Sequence, residues 1–226
     1  MKKLIQGLLL TFLFLIVPFY TSSTSDFSTL TEEEKIEQEI RLKESMIQTQ
    51  INDELELFYA NLNETTQACF IHEFFDRVMH EAIDSKSLPS IAIAQAAIET
   101  GYGRSSKLGN NIFGIKGHGI RVTTHEVYKG KWYKIKANFQ YFPTLTDAFN
   151  KHSEILARYG AKGYDYNQWI ERIKARGYAT DPRYSYKIRF VIERYQLHRL
   201  DKIQRLKAKI PVERQEFCNP VFNSFV

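Results

Sequence analysis

The protein has 226 residues, of which 43% are hydrophobic and 25% charged, and it contains two cysteines. This length suits one ordinary domain with appendages or two small domains, and two cysteines are too few for a disulfide-built miniprotein or a zinc site made of thiolates. The formal net charge of +5 hides an asymmetry, since residues 1–25 carry +2, residues 26–64 carry −8 and the remainder carries +11. The basic part therefore predicts a polyanionic partner such as nucleic acid, anionic lipid or the carboxylate-rich bacterial wall.

Residues 1–23 have the pattern of an export signal. Lys2 and Lys3 precede an apolar run over residues 4–20, and small polar residues follow it. This order predicts a signal peptide cut near Ser23. Because neither Thr21 nor Ser23 is the alanine typical of a cleavage site, an uncleaved membrane anchor is the alternative, although the apolar run is short for a membrane span. We therefore expect an exported protein that is periplasmic or associated with the cell envelope, with membrane contact only through an uncleaved N-terminal segment. Export argues against nucleic acid as the partner.

Residues 24–64 predict an acidic amphipathic helix. A capping box over residues 31–34 marks its start, because a hydroxyl side chain is followed three residues later by a carboxylate. Behind it, apolar residues recur at three-, four- and seven-residue steps: Ile36, Ile40, Ile47, Ile51, Leu55, Phe58 and Leu62. So narrow an apolar stripe indicates packing against one surface. That surface could be the basic domain, a second copy of the chain through self-association, or a membrane-proximal stalk.

Residues 65–200 predict a compact, mostly helical domain. Apolar residues from Phe70 to Ile83 form a broad face that is typical of a core helix. Pro89 favours the first turn of the next helix, and Gly101 favours its end.

The pattern then changes and returns. Residues 120–142 alternate in polarity and break at Lys129 and Gly130, which predicts a β-hairpin. Helices are predicted again at about 145–159, 167–176 and 182–199, the last with Asp181 as its N-cap. A basic and poorly patterned tail is predicted over residues 201–226.

Glu99 is the candidate with the clearest chemical argument. It falls in the last turn of an Ala-rich helix, where the negative helix end and apolar neighbours both raise the pKa of a carboxyl group. A general acid that works near neutral pH requires such a raised pKa. By spacing alone, a solvated glutamate at a helix end is the more common interpretation.

Four sequence words occur in order: AQAAIETGYGRS from Ala94, NNIFGIKG from Asn110, THEVY from Thr124 and GYATDPRYSYKI from Gly177. Together they resemble the glucosaminidase domain of glycoside hydrolase family 73 over residues 68–200. The resemblance implies an α+β, lysozyme-like fold, with a mainly helical lobe and a small β-hairpin lobe across a cleft. It also implies an endo-β-N-acetylglucosaminidase that cleaves the β-1,4 bond between N-acetylglucosamine and N-acetylmuramic acid in peptidoglycan glycan strands. No metal and no cofactor are implied.

The resemblance also implies roles for single residues. Glu99 is the expected proton donor, and Glu126 is the expected second acid, which stabilises the oxocarbenium-like transition state or activates water. Val127 stands where the family commonly has a tyrosine after this acid. Tyr184 is the expected catalytic tyrosine of the cleft, with Tyr178 as the competing choice.

The remaining candidates are expected to bind substrate. Asn110, Asn111, Phe113 and Gly114 match the family's NNxFG loop, which shapes the cleft floor and offers amides to sugar hydroxyls and the N-acetyl group. Trp132 and Tyr178 offer aromatic faces that stack on pyranose rings.

Several alternatives stay open at the level of sequence. The chain could be a muramidase or a lytic transglycosylase of lysozyme-like fold, or a wall-binding protein without activity. The carboxylates could act by inversion, or the substrate's own N-acetyl group could attack. Cys69 and Cys218 could form a disulfide or remain thiols. The six histidines show no metal-ligand spacing, which favours structural roles.

Overall fold

The computed structural model describes residues 30–211 except 106, 129, 130 and 180, and at 125–128, 131 and 132 it describes the backbone alone. The predicted export segment and Cys218 lie outside these residues, so export and the disulfide stay predictions. Cys69 is exposed. Within the described part of the chain, no helix combines the length and apolar character needed to cross a membrane.

The described residues form seven helices and one antiparallel hairpin. In chain order these are α1 (Glu32–Thr65), α2 (Cys69–Asp84), α3 (Pro89–Thr100), β1 (Gly119–Tyr128), β2 (Lys131–Gln140), α4 (Leu145–Arg158), α5 (Tyr166–Ala175), α6 (Tyr184–Arg194) and α7 (His198–Lys207). The predicted α+β class is confirmed, with a mainly helical body and a small two-stranded sheet.

The start of α1 is the predicted capping box. The Thr31 hydroxyl accepts a hydrogen bond from the Glu34 N–H at 3.2 Å, and the Glu34 carboxylate accepts one from the Thr31 N–H at 2.8 Å. Two N–H groups that the first helical turn leaves unpaired are thus satisfied.

The second half of α1 belongs to the body of the protein. The chain divides into two compact units, one ending at Met46 and one beginning at Ile47. Within the second unit, the apolar stripe of α1 is buried in the core through Ile51, Leu55, Phe58 and Leu62. Of the surfaces left open by the sequence, the basic domain is therefore the one against which this half packs.

An ion-pair cluster accompanies that packing. Glu54, which is 7% exposed, binds the Arg199 guanidinium at 2.9 Å and the Lys202 ammonium at 2.5 Å. These charges lower the pKa of Glu54 against the opposing effect of burial. The acidic helix and the basic C-terminal region are thus joined by charge as well as by apolar contact.

The central element of the body is α3. Every residue from Pro89 to Ala97 is buried, and α2, α5, α6 and α7 pack around it. Its alanines make this possible, because small side chains let neighbouring helices approach closely. The helix ends as predicted at Gly101, which takes a left-handed conformation at φ +59°. Glu99 therefore lies at the end of the most enclosed helix.

Helix α2 follows the prediction with one exception. Its buried face runs from Ile71 to Ile83. Phe70, which the sequence placed on this face, is instead 37% exposed and lies under the Arg104 guanidinium at 5.0 Å. A cation–π contact at the surface takes the place of burial in the core.

The hairpin register is defined along both strands. Gly119 pairs with Gln140 at one end and Tyr128 with Lys131 at the other, so Glu126 stands opposite Tyr133. The predicted turn residues lie outside the described positions, and the two strands flanking them are as predicted.

The predicted helix over 182–199 is two helices, and the predicted tail begins as the second. The chain breaks at Gln196, which adopts a left-handed conformation at φ +49°. Helix α7 then continues to Lys207 because apolar residues spaced along it are buried: Leu200, Ile203 and Leu206, followed by Ile210. Residues that looked poorly patterned therefore complete the core.

The start of α6 also differs from the prediction. The Asp181 carboxylate accepts a hydrogen bond from the Arg183 N–H at 2.8 Å, and the helix begins at Tyr184. Asp181 therefore closes a turn before the helix instead of capping its first turn directly.

Asp201 ties α7 to the start of α3. Its carboxylate, 2% exposed, accepts hydrogen bonds from the Ser90 N–H at 2.8 Å and from the Ser90 hydroxyl at 2.6 Å. Burial raises its pKa from 3.8 to about 7. The folded protein thus holds this proton more tightly than the unfolded chain does.

Replacing Asp201 with Ala is expected to lower the free energy of unfolding by about 1–3 kcal/mol, because the buried Ser90 N–H loses its acceptor. Asp201→Asn keeps one acceptor and is expected to lose less. Because the folded pKa is raised, the contribution of Asp201 is complete at acidic pH and declines as pH rises toward about 7, and this dependence disappears in Asp201→Asn. Urea unfolding over a pH series measures both effects. Unfolding energies equal to that of the parent would contradict the assignment.

Candidate active site

A cavity of about 420 Å³ opens beside the C-terminal end of α3. Its lining comes from α3, from the loop before the hairpin, from the segment between α5 and α6, and from α6 itself. The lining residues are Gln95, Ile98, Glu99, Phe113, Tyr178, Ala179, Asp181, Tyr184, Lys187 and Ile188. Three of the four sequence words thus meet around one space of ligand size.

Glu99 reaches this cavity from the last turn of α3. Its side chain is exposed to the open space, yet the protein packed around the carboxyl group removes enough water to raise its pKa. The positive charge of Lys187 opposes that rise. The direction of the pKa shift predicted from the sequence is confirmed. A raised pKa keeps the carboxyl group protonated to higher pH, so Glu99 can donate a proton.

Gly114 lies directly against this carboxyl group. A Cβ atom at position 114 would stand 3.4 Å from Glu99 Oε2, and the residue has a left-handed backbone at φ +63°. Glycine adopts this conformation without steric cost and leaves the space beside the carboxyl open. The NNxFG loop thus forms one wall of the site.

Replacing Gly114 with Ala is expected to lower kcat/KM for glycan cleavage about tenfold, because a methyl group beside Glu99 displaces the reacting groups. Gly109→Ala is the matched control, since Gly109 has a similar φ of +57° and a Cβ there meets nothing within 4 Å. Both variants are expected to lose similar stability, which thermal unfolding measures. An equal loss of kcat/KM in both would show that backbone strain, and not the contact with Glu99, is responsible.

The two asparagines of the loop hold it in place. Asn111 is 2% exposed, and its amide donates to the Ile115 carbonyl at 2.9 Å and the Gln140 carbonyl at 2.8 Å. The Asn110 amide donates to the Pro143 carbonyl at 2.8 Å. These bonds fasten the loop to the end of β2 and to the segment after it. The predicted contacts of both amides with sugar stay predictions.

Tyr178 and Tyr184 also line the cavity. Their ring centroids are 5.9 Å apart, and both side chains are half-buried. Burial raises the pKa of Tyr178 to about 12 and raises that of Tyr184 as well, so both remain neutral phenols that can donate hydrogen bonds. The charge of Glu99 is the second-largest cause for Tyr178 and the smallest for Tyr184. The structure therefore brings both candidate tyrosines to Glu99.

Two residues of the site were missed at the level of sequence. Gln95 is 5% exposed, and its amide donates to the Tyr184 hydroxyl at 2.6 Å. His152 of α4 is 1% exposed, lies 2.6 Å from the other end of that amide, and stacks on Phe113 at 3.9 Å. Gln95 stands one helical turn before Glu99, so helical spacing could have placed the two side chains on the same face of α3. No spacing relates His152 to α3.

A further ion pair lies at the cavity and was also missed. The Lys187 ammonium binds the Asp181 carboxylate at 2.6 Å. Both residues belong to the GYATDPRYSYKI word, in which Asp181 was predicted only as a helix N-cap and Lys187 was given no role.

The hairpin contributes two candidates whose side chains lie outside the described atoms. Glu126 is on β1 and Trp132 is on β2, where Trp132 pairs with Val127. Their predicted roles stay predictions. Among the side chains that are described, no group of three His, Cys, Asp or Glu residues is placed to hold a metal ion.

Comparison with known proteins gives consistent matches. A family model described as mannosyl-glycoprotein endo-beta-N-acetylglucosaminidase matches residues 76–197. The exo-glucosaminidase LytG of Bacillus subtilis is 35% identical over 132 residues, which are 51% of this chain and 47% of LytG. A probable N-acetylmuramidase of Lactococcus lactis is 32% identical over 138 residues, 52% of this chain and 31% of that protein. The solved catalytic domain of the autolysin Auto from Listeria monocytogenes has a TM-score of 0.51 at 31% identity, covering 60% of this chain and 89% of that domain.

The family match takes in more than half of the chain, whereas the chain spans about half the length of LytG and less of the muramidase. The matched residues contain all four sequence words in full and every residue that lines the cavity. The protein therefore belongs to the glucosaminidase family, glycoside hydrolase family 73.

Proposed function

We propose that this protein is a peptidoglycan hydrolase, an endo-β-N-acetylglucosaminidase that cleaves the β-1,4 bond between N-acetylglucosamine and N-acetylmuramic acid. The observation that carries the proposal is Glu99, a carboxyl group of raised pKa that lies against Gly114 and lines a cavity together with two neutral tyrosines. Family membership and the name of LytG support the choice of bond.

Glu99 has the first role in the proposed mechanism. Its proton passes to the glycosidic oxygen as the bond to C1 breaks, and the sugar develops oxocarbenium character. Burial keeps this proton on Glu99 until the transfer, because the neutral form of the acid is favoured where water is excluded.

A second group then completes the reaction at C1. In the inverting form of the proposal, Glu126 removes a proton from the attacking water, and in the substrate-assisted form the 2-acetamido oxygen of the sugar attacks first. Tyr184, with Tyr178 as the alternative, donates a hydrogen bond to an oxygen of the reacting sugar. Asn110, Asn111, Phe113, Gly114, Trp132 and Tyr178 are proposed as the substrate-binding set. Asn111 contributes by holding the loop, since its amide is already bonded to Ile115 and Gln140.

The proposed location follows from the substrate. We propose that residues 1–23 direct export, so that the protein acts in the periplasm or at the cell envelope, and that the +11 charge of residues 65–226 attracts it to the anionic wall. Self-association through the first half of α1 is part of this proposal. Peptidoglycan is the proposed partner, and binding to nucleic acid is not proposed.

The chemistry of the products tests the bond that is cut. Purified peptidoglycan is digested, reduced with borohydride and analysed by mass spectrometry. Reduced N-acetylglucosamine at the new ends supports the proposal, and its release within long fragments supports endo cleavage, whereas single terminal sugars indicate the exo action named for LytG. Reduced N-acetylmuramic acid would assign the second candidate function, a muramidase, which the Lactococcus lactis relative favours. Anhydro ends would indicate a lytic transglycosylase.

The pH profile tests the protonation state of Glu99. Lys187→Gln removes a positive charge that lowers the pKa of Glu99, so that pKa rises and the alkaline limb of the kcat/KM profile moves to higher pH. Asp181→Asn leaves Lys187 without its partner, so the limb is expected to move to lower pH. Profiles measured for both variants check the two directions. A limb that moves in neither variant would contradict its assignment to Glu99.

A further inference from the structure

A chain of contacts through the buried His152 links three residues that line the cavity. It begins at Phe113, whose ring stacks on His152 with an interplanar angle of 7°. His152 Nε2 lies 2.6 Å from Gln95 Oε1, and Gln95 Nε2 lies 2.6 Å from the Tyr184 hydroxyl. Three separate elements, α4, α3 and α6, are thus connected by polar atoms inside an apolar body.

The direction of each hydrogen bond follows from the unpaired nitrogen of His152. Its Nδ1 is buried and has no hydrogen-bond partner among the described residues. An N–H left unpaired in the interior is disfavoured more than a bare acceptor, so the ring proton resides on Nε2. His152 therefore donates to Gln95 Oε1, and the Gln95 amide turns its NH₂ group toward Tyr184.

This direction determines what Tyr184 can do. Its oxygen accepts the hydrogen bond from Gln95, so its own proton is left for an acceptor elsewhere, and Tyr184 lines the cavity. Because burial lowers the pKa of His152 to about 3, the ring stays neutral near neutral pH. The donors and acceptors of the two hydrogen bonds therefore do not exchange roles.

We infer that Gln95 and His152 are positioning residues, which hold the Tyr184 hydroxyl as a hydrogen-bond donor directed into the cavity. The acceptor is an oxygen of the sugar at the scissile bond. The inference rests on the proposed function, since it assigns a reason for the geometry of the proposed catalytic tyrosine. It adds two residues that act through Tyr184: His152, which is buried behind the cavity lining, and Gln95, which lies at the cavity beside Tyr184 and Tyr178.

A double-mutant cycle tests the inference in the full-length protein. Tyr184→Phe and Gln95→Met are each expected to lower kcat about tenfold with little change in KM, because a transition-state hydrogen bond is lost. The variant carrying both changes is expected to be no slower than Tyr184→Phe alone, since Gln95 acts through the hydroxyl that is already absent. Losses that multiply in the double variant would overturn the inference.

Substitutions of His152 provide a second test that does not depend on Gln95→Met folding well. His152→Gln keeps an N–H donor for the Gln95 oxygen and is expected to retain most of the parent kcat, whereas His152→Leu is expected to fall to the level of Tyr184→Phe. Ser153→Ala is the matched control, because Ser153 is buried on the same helix and bonds Ser87 and Phe149 instead. It is expected to lose stability but not kcat. Equal kcat in the Gln and Leu variants would overturn the inference.

The outcomes separate this inference from the proposed function. Full activity of Glu99→Gln would contradict the proposed function itself, which depends on Glu99 as the general acid. Loss of activity in Glu99→Gln together with full activity of Tyr184→Phe would leave the hydrolase standing and overturn the role of the His152–Gln95 pair.

Discussion

Replacing Glu99 with Gln is expected to lower kcat/KM for peptidoglycan cleavage by about 10³-fold or more, the range in which loss of a general acid falls. The amide has the same shape as the carboxyl group but has no proton of suitable acidity to transfer to the leaving oxygen. Folding is expected to be unaffected, because Glu99 is exposed to the cavity. Turbidity loss of purified walls and release of reducing ends measure the activity.

Glu193→Gln is the matched control for that variant. Glu193 lies in the last turn of α6, is exposed and does not line the cavity, so the variant has the same change in charge without touching the site. Both variants are expected to sediment with walls as the parent does. If Glu99→Gln digested walls as fast as Glu193→Gln, Glu99 would not be the acid, and a wall-binding protein without turnover at this site would become the better description.

The second large effect is expected for Glu126→Gln, with kcat about 10²-fold lower. The carboxylate at this position either activates water or stabilises the positive charge that develops on the sugar, and the amide does neither. Glu126 stands opposite Tyr133 near the turn end of the hairpin, two residue pairs before the last one, Tyr128 with Lys131. Initial rates on purified peptidoglycan measure the loss.

Azide distinguishes the two roles of Glu126. If this residue is the base of an inverting reaction, Glu126→Ala is expected to regain turnover in sodium azide, because the small anion replaces the activated water and forms a glycosyl azide. In a substrate-assisted reaction the acetamido group attacks and azide gives no comparable gain. Thr124→Ala, two residues earlier on the same strand, controls for damage to the hairpin. Parent-level kcat in Glu126→Gln would contradict both roles.

Local signals account for the parts of the fold that the sequence predicted well. The capping box at Thr31, the proline that starts α3 and the glycine that ends it act within one or two turns of the chain. The alternating pattern of β1 and β2 likewise reports a two-sided strand directly. Such features require no knowledge of what packs against them.

Long-range packing accounts for the errors. The break at Gln196 occurs at a residue type that does not favour a left-handed backbone, so no local signal marks it. Phe70 left the buried face for a contact with Arg104, and α7 became part of the core through Ile203 and Leu206. In each case contacts with distant residues outweighed the local pattern.

The site divides in the same way. Glu99, Phe113, Tyr178 and Tyr184 were identified through the family words, and the cavity brings them together. Gln95 was in the same word as Glu99, and helical spacing placed it on the same face. The hydrogen bond between Gln95 and His152 depends on how α4 packs against α3, so the amino-acid sequence alone did not reveal it.

The distribution of charged and apolar residues along the 226-residue chain was sufficient to separate an apolar N-terminal segment, an acidic helix and a basic body. Composition and periodicity are properties of contiguous residues, so the sequence shows them directly. Folding was needed to show that half of the acidic helix belongs to the basic body and that Glu54 binds Arg199 there. Folding was also needed to place a buried histidine and glutamine behind Tyr184. Burial and hydrogen-bond direction depend on which helices meet, and that is decided by close packing around the alanines of α3.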